Sequence, residues 1–453
     1  MLSWTIDYTH DYIPDTTQRL IISTSYNVPI DKTVIPNSVT RIIMTSSKIN
    51  ELSNTSLPDY LVELALPSSF NAHIHYSFFP NSLKKLSLGH TYNQKFNKDS
   101  LPKFLETLVL GNDYDKEFDV GIFPDTLTHM VFNTYYDKPI SVCNLPRYLA
   151  FVSHYNPAEP MSCDYTFPDT LKQLYLSGDN DPSGEYELSK SNLPKYLEKL
   201  HLDRKYIHPI HRDNFPQTLR ELCLGYYYSA QLDKYSLPDG LVKLILDNDS
   251  SYNTDCSIYP DSMTELDLYI KGDSLAEKSI FPEKLKKLTI RSNINGKIAA
   301  YMFPKSLEYL SIKSTVSRDN IISFPENLTT LKISCYGRET SMIPELPDTI
   351  ETLQMNTFVT NPPSQLKYLL INNGKTLHQY NSCQNSMNYF IVYSGYILEI
   401  LCINYPILVK STNPCNISME IIGTHMIGDT EYSIVVHPKF YIPKSRKKSP
   451  NSR

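Results

Sequence analysis

The sequence predicts a β-rich solenoid, a stack of about sixteen coils of 22 residues with one short parallel strand per coil and little helix. Three observations carry this expectation: a proline that recurs at a fixed interval, an apolar frame behind each proline, and an aromatic–aliphatic pair further along each coil. Prolines preceded by a large apolar residue fall at Pro14, Pro36, Pro58, Pro80, Pro102, Pro124, Pro146 and Pro168, each 22 residues after the last. A step of 26 leads to Pro194, then steps of 22 give Pro216, Pro238, Pro260, Pro282 and Pro304. Pro325 follows at 21 and Pro347 at 22, so thirteen of fifteen intervals are identical. A shorter step of 16 reaches Pro363.

Each proline opens a turn, since it fixes φ and suits a turn's second position, and the Asp, Asn or Glu that often follows is a turn former. Apolar residues then stand three, six and eight places on, as Leu83, Leu86 and Leu88 after Pro80 and Leu219, Leu222 and Leu224 after Pro216. The last two alternate with a polar residue and so share one side of a strand. One such strand cannot bury that side alone. Equivalent strands laid in parallel can, filling the interior with leucine ladders. Leu108 and Leu222 are read as ladder positions, whereas Lys85 and Glu221 are read as solvated and tolerant of Ala.

The second pair closes the far side of the coil, as Phe70 and Ile74, Tyr92 and Phe96, Tyr114 and Phe118, and Tyr136 and Ile140. The Asn or Asp beside the aromatic is expected to bond backbone within its own turn.

Together these elements read Phe-Asn-x-x-Ile, then Leu-Pro-x-x-Leu-x-x-Leu-x-Leu, and the pattern over roughly residues 1–370 resembles the FNIP repeat, a leucine-rich-repeat-like unit. Members of that family occur in social amoebae and in giant DNA viruses that infect amoebae. Several carry an F-box, which implies an adaptor for ubiquitin ligation. An F-box is not expected here, because thirteen residues precede Pro14, too few for that helical module.

Four segments follow from the frame. Residues 1–13 are read as an N-terminal half-coil cap, with Trp4 and Tyr8 at the aromatic and aliphatic positions. Residues 14–371 are the repeat solenoid, with Gly178–Gly184 as a turn-rich insertion. Residues 372–438 are degenerate coils or a C-terminal cap, and 439–453 a basic disordered tail with the capacity for a nuclear import signal.

Composition narrows the function. The formal charge of −5 supplies no basic face for nucleic acid. No secretory signal opens the chain, and the apolar stretch 389–409 is broken by Gly395, Glu399, Asn404 and Pro406, so an intracellular, cytoplasmic protein without a membrane span is expected. The eight cysteines lie at least thirteen residues apart and form no zinc-type pair. Gly374-Lys375-Thr376 lacks the earlier glycine of a phosphate loop. His201, His208 and His211 form the densest histidine group, without the paired carboxylates or thiolates of a metal site. No catalytic, cofactor or metal residues and no small-molecule substrate are therefore assigned.

A non-enzymatic protein-interaction scaffold, with one sheet face as its binding surface, is the favoured reading. A carbohydrate-binding or carbohydrate-processing β-solenoid, suggested by abundant Tyr, is the alternative. Residues five, seven and nine after each proline should face outward. Most are Lys, Glu, Ser or Thr, but three successive coils differ, offering Phe151 and Tyr155, then Tyr175, then Lys199, His201 and Asp203 as candidate partner-binding residues. Inward rotation of Phe151, compensating for His154 on the ladder, is the competing account.

Overall fold

The computed structural model describes residues 3–6, 12–23, 33–45, 57–76, 78–132, 136, 138, 140, 144–155, 167–176, 188, 193–202, 206–246, 256–269, 281–291, 297–336, 344–355, 363–371, 389–394, 397–401, 408–411, 424–427 and 430–433. The chain divides into two compact units, Met1–Tyr269 and Ile270–Arg453.

In each unit the frame folds as the repeat dictates. Strands begin five residues after seventeen frame prolines, from Arg19–Ile22 to Tyr368–Ile371, so the expected coil number of about sixteen differs slightly. Pairing is parallel, and equivalent residues lie side by side: Leu64 beside Leu86, Leu86 beside Leu108, Leu200 beside Leu222, Leu222 beside Leu244. The offset equals the proline interval, so within each unit a strand satisfies the backbone of its paired neighbour. The regular helices among the described residues are four 3₁₀ turns of three residues, such as Arg212–Asn214 and Ala300–Met302.

The core is the set of apolar frame positions. Leu83, Leu86, Leu105, Leu108, Leu219 and Leu222 have no exposed surface. On the far side the aromatics stack coil on coil: Phe70 on Tyr92 at 6.1 Å and Tyr92 on Tyr114 at 6.2 Å, with planes within 6° and 1° of parallel. Tyr206 and Tyr228 repeat the arrangement at 6.2 Å. These planes follow from the repeat, because identical rings one coil apart have identical surroundings.

Several expectations are corrected. The proline is the first residue of its turn, not the second. Its carbonyl accepts from the N–H three residues on, as in Leu61 to Pro58 at 3.2 Å and Leu127 to Pro124 at 3.0 Å. The two residues after the proline therefore form the turn's tip. Asn71 Oδ1 accepts from Asn93 N of the next coil at 2.9 Å, and Asn93 Oδ1 from Asp115 N at 3.0 Å. This side chain ties coils together rather than closing its own turn. Trp4 pairs in register with ladder residue Leu20, within Ser3–Ile6 against Arg19–Ile22. It thus occupies a strand position and not the aromatic position. The ninth position is buried at Pro67, Gly89 and Gly111 and does not face outward there.

At the other end, Tyr389–Ser394 pairs in parallel with Tyr368–Ile371, and Ile397–Leu401 and Leu408–Ser411 then add antiparallel strands. The spacing of Leu398 and Ile400 thus belongs to a hairpin arm rather than to a coil. Tyr8, the 178–184 insertion, Gly374–Thr376 and the basic tail lie outside the described residues.

Candidate functional site

The outward side of the sheet in the Pro124 to Pro238 coils carries a continuous array that begins with aromatics. Strand pleating sends the fifth and seventh positions outward while the sixth and eighth enter the core, so Gln173–Leu176 and Glu221–Leu224 alternate between half-buried and buried residues. Phe151 remains on the outer side. Its ring lies 5.5 Å from His129 and 5.3 Å from Tyr175, and Val152 holds the ladder with no exposed surface. Phe151 therefore sits beside outward rings, and the side chain of His154, for which its inward rotation would compensate, lies outside the described residues.

Tyr175 and His201 are direct cross-strand neighbours, and their ring centroids are 4.1 Å apart. From His201 the array turns polar. His201 Nε2 meets Glu221 Oε1 at 3.2 Å, and Glu221 also pairs with Lys199 at 3.4 Å and Lys243 at 2.9 Å. Glu221 keeps only 12% of its side chain exposed, so these contacts are poorly screened. The bond to His201, with those to Lys243 and the charge of Lys199, outweighs burial and holds its carboxyl at about 2.

Burial pushes the Tyr175 phenol up, and the Glu221 charge adds to that. At Lys243 burial alone would lower the pKa, but the bond to Glu221 wins and the ammonium is held above its ordinary value.

The array brings together four of the six candidates: Phe151, Tyr175, Lys199 and His201. Tyr155 lies on the same strand beyond a break in register, paired by backbone with Leu176, and its side chain is outside the described residues. Asp203 lies outside them as well. Glu221 and Lys243 were missed. Glu221 in particular reads from sequence as an ordinary solvated residue, yet it is the polar hub. A charge at the fifth position recurs in many coils and draws no notice in sequence. The usable signal was register, which sets the fifth position of one coil diagonally beside the seventh of its neighbour.

Chemically, this is a set of fixed charges and rings. A general base works best with a pKa near the operating pH, and Glu221 is far from it. His208 lies instead against Tyr206 at 5.8 Å, and His211 caps Arg212–Asn214 and pairs with Asp213 at 3.2 Å, so the three histidines serve separate local roles. Among the described residues no group of three His, Cys, Asp or Glu side chains is placed to hold a metal ion. None of their helices is long and apolar enough to cross a membrane.

The Glu221 contacts predict a pH-dependent variant. A carboxyl held at about 2, below its ordinary 4.5, stabilises the fold above the ordinary value, and the gain is lost as pH falls through about 2. Glu221→Gln should therefore cost on the order of 1–3 kcal/mol at pH 6, and progressively less toward pH 3. Urea unfolding across that range checks it; a loss independent of pH would show that the charge contributes nothing.

The FNIP Repeat model matches residues 9–47, 92–133, 114–153, 186–227 and 208–249. Among curated proteins, no sequence matches the chain. Among solved structures, the chain is similar to CroV588, a giant-virus protein described as a novel circular LRR protein. The match has 22% identity and a TM-score of 0.56, and covers 83% of this chain. The chain spans 59% of the length of CroV588, and the likeness bears on the fold alone. A leucine-rich repeat protein from Eubacterium ventriosum is 10% identical over 70% of this chain and 82% of that one, at a TM-score of 0.17, too loose a superposition to add to this. FNIP repeats thus match three separate stretches of the chain, and the same proline frame runs between and beyond them through a leucine-rich-repeat-like solenoid fold.

Proposed function

We propose that the chain is a non-enzymatic scaffold that binds a protein partner through the sheet face around Phe151, Tyr175, His201 and Glu221. One observation supports the reading above the others: an aromatic patch passes directly into a half-buried, multiply paired carboxylate on an otherwise ordinary polar face. Rings beside a charge-complemented rim are the composition of binding hot spots. Holding the ions in place beforehand lowers the ordering cost of association. Nucleic acid, membrane and small-molecule substrates have no counterpart in this arrangement. The reading places the protein inside the cell.

The test is quantitative affinity capture from amoebal lysate with the wild-type chain and the Tyr175→Ala and His201→Ala variants. A protein retained by the wild type should be lost at least tenfold by each variant, a difference of about 1.4 kcal/mol. The melting temperature of Tyr175→Ala should hold, whereas His201→Ala gives up a bond to Glu221 and is compared at a temperature where both proteins remain folded. Equal retention by all three proteins would displace the site from this face, and retention of glycans instead of protein would overturn the reading.

A further inference from the structure

A second feature lies on the turn edge of the Met1–Tyr269 unit. Its residues are distinct from those of the sheet face. From Pro58 to Pro216 the residue two places after the proline alternates between coils, a pattern that ends at Gly240 after Pro238. In the coils that begin Leu-Pro it is Tyr60, Phe104, Tyr148 and Tyr196, and in the Phe-Pro coils between them it is Ser82, Thr126, Thr170 and Thr218. The structure explains the second set. Each hydroxyl donates to a carbonyl of the preceding coil: Ser82 to Leu61 at 2.7 Å, Thr126 to Leu105 at 2.8 Å, Thr170 to Leu149 at 2.8 Å and Thr218 to Leu197 at 2.8 Å. These bonds lock successive turns at the sheet's own spacing. A backbone ladder beside them runs unbroken from Lys84 through Glu106, Thr128, Ala150 and Lys172 to Glu198, so the longer Pro168–Pro194 step leaves this edge regular.

The aromatic set has no such role in holding the turns. Its rings stand about half exposed or more at the turn tips, at 64%, 49%, 50% and 49%. Three have a cation over them from the preceding residue: Lys103 on Phe104 at 5.6 Å, Arg147 on Tyr148 at 5.5 Å and Lys195 on Tyr196 at 5.2 Å. An open groove of about 910 Å³, lined by Asp59, Tyr76, Asn81, Asp99, Lys103 and Gly121, lies beside the first of these turns.

Rings on alternate coils stand two strand spacings apart, about 9.4–9.8 Å. A polyproline II helix rises about 3.1 Å per residue with three residues per turn, and so repeats about every 9.3 Å. An extended strand repeats about every 6.7 Å and an α-helix about every 5.4 Å, and neither stays in step with the rings. Rows of exposed aromatics are how proline-rich segments are gripped, because the proline ring packs on a flat aromatic face and the polyproline form is ordered before it binds. The cation beside each ring adds a place for one carboxylate per turn. Asp125 and Asp169 stand at the turn tips between the cations, so anions are accepted only on alternate coils, the spacing of one carboxylate per polyproline turn and wider than that of successive phosphates.

The geometry points to a binding edge for a proline-rich segment in the polyproline II form with three-residue periodicity and an acidic residue in each turn, one turn seated on each of Phe104, Tyr148 and Tyr196. The test uses fluorescence anisotropy of a dye-labelled peptide of repeated Pro-Pro-Glu against the full chain. A shuffled peptide of the same composition and an oligothymidylate serve as comparisons. The repeated peptide should bind at least tenfold more tightly than either. The triple variant Phe104→Ser, Tyr148→Thr, Tyr196→Thr should lose that binding while its melting temperature holds, since it copies what the intervening turns already carry. Tyr175→Ala should bind the peptide like the wild type, which separates this edge from the sheet face. Equal binding of the shuffled peptide, tighter binding of the oligonucleotide, or retention by the triple variant would each overturn the proposal.

Discussion

Replacing Leu222 by Ala is expected to cost on the order of 2–5 kcal/mol of unfolding free energy, and replacing Leu108 the same. Both side chains are fully buried, and each lies in register with a leucine or methionine of the coils on either side: Leu222 between Leu200 and Leu244, Leu108 between Leu86 and Met130. Truncation thus opens a void that borders two neighbours at once. A parallel ladder cannot close it without shifting strands whose backbone bonds fix their spacing. Lys85→Ala, on the same sheet but facing outward, should stay within about 0.5 kcal/mol, because its ion pair with Glu63 is solvent-exposed. Chemical denaturation of the three variants checks the contrast, and equal losses at Leu222 and Lys85 would mean that the inward and outward positions have been reversed.

What the sequence made legible here is what repeats. Ladder leucines recur in most coils and stacked rings in runs of coils such as Phe70 to Tyr136, so their burial is readable from spacing alone. What it hid depends on contacts between coils. Asn71 reads as a turn former, and only the stacking shows that it accepts from Asn93. Trp4 fits the aromatic position when counted from Pro14, but strand pairing sets it against Leu20. At the candidate site, Phe151, Tyr175 and His201 stand out because aromatics and histidine are rare at outward positions, and Lys199 comes with His201 on the same strand. Glu221 did not, since its type is common there and its three partners come from two other coils. The alternation of ring and hydroxyl at the turn tips was likewise visible as letters. Its meaning needed the bond from Thr126 to the Leu105 carbonyl, which marks one set as structural and leaves the other to face solvent.

The same dependence on neighbouring coils governs the glycines nine residues after a proline. Gly89→Ala and Gly111→Ala should each cost about 3 kcal/mol or more, at the upper end for overpacking. A β-carbon on Gly89 would sit 1.9 Å from the Pro67 carbonyl oxygen, and one on Gly111 would sit 2.1 Å from that of Gly89. Neither obstacle is a side chain that can swing aside. The Pro67 carbonyl accepts from Phe70 N at 3.0 Å and the Gly89 carbonyl from Tyr92 N at 3.2 Å, bonds that turn the chain from the strand toward the aromatic stack. Moving either oxygen away breaks that turn and pulls Phe70 or Tyr92 out of register with the ring above it. Gly121 supplies the control. It adopts a φ of 79° with nothing within 4 Å of an added β-carbon, and Asp99, one coil earlier, holds φ 63° in its place. Gly121→Ala should therefore lose only the left-handed backbone preference, about 1–2 kcal/mol. Unfolding free energies for the three variants decide the matter. If Gly121→Ala is as damaging as Gly89→Ala, backbone preference rather than the close approach of neighbouring coils is what these glycines supply.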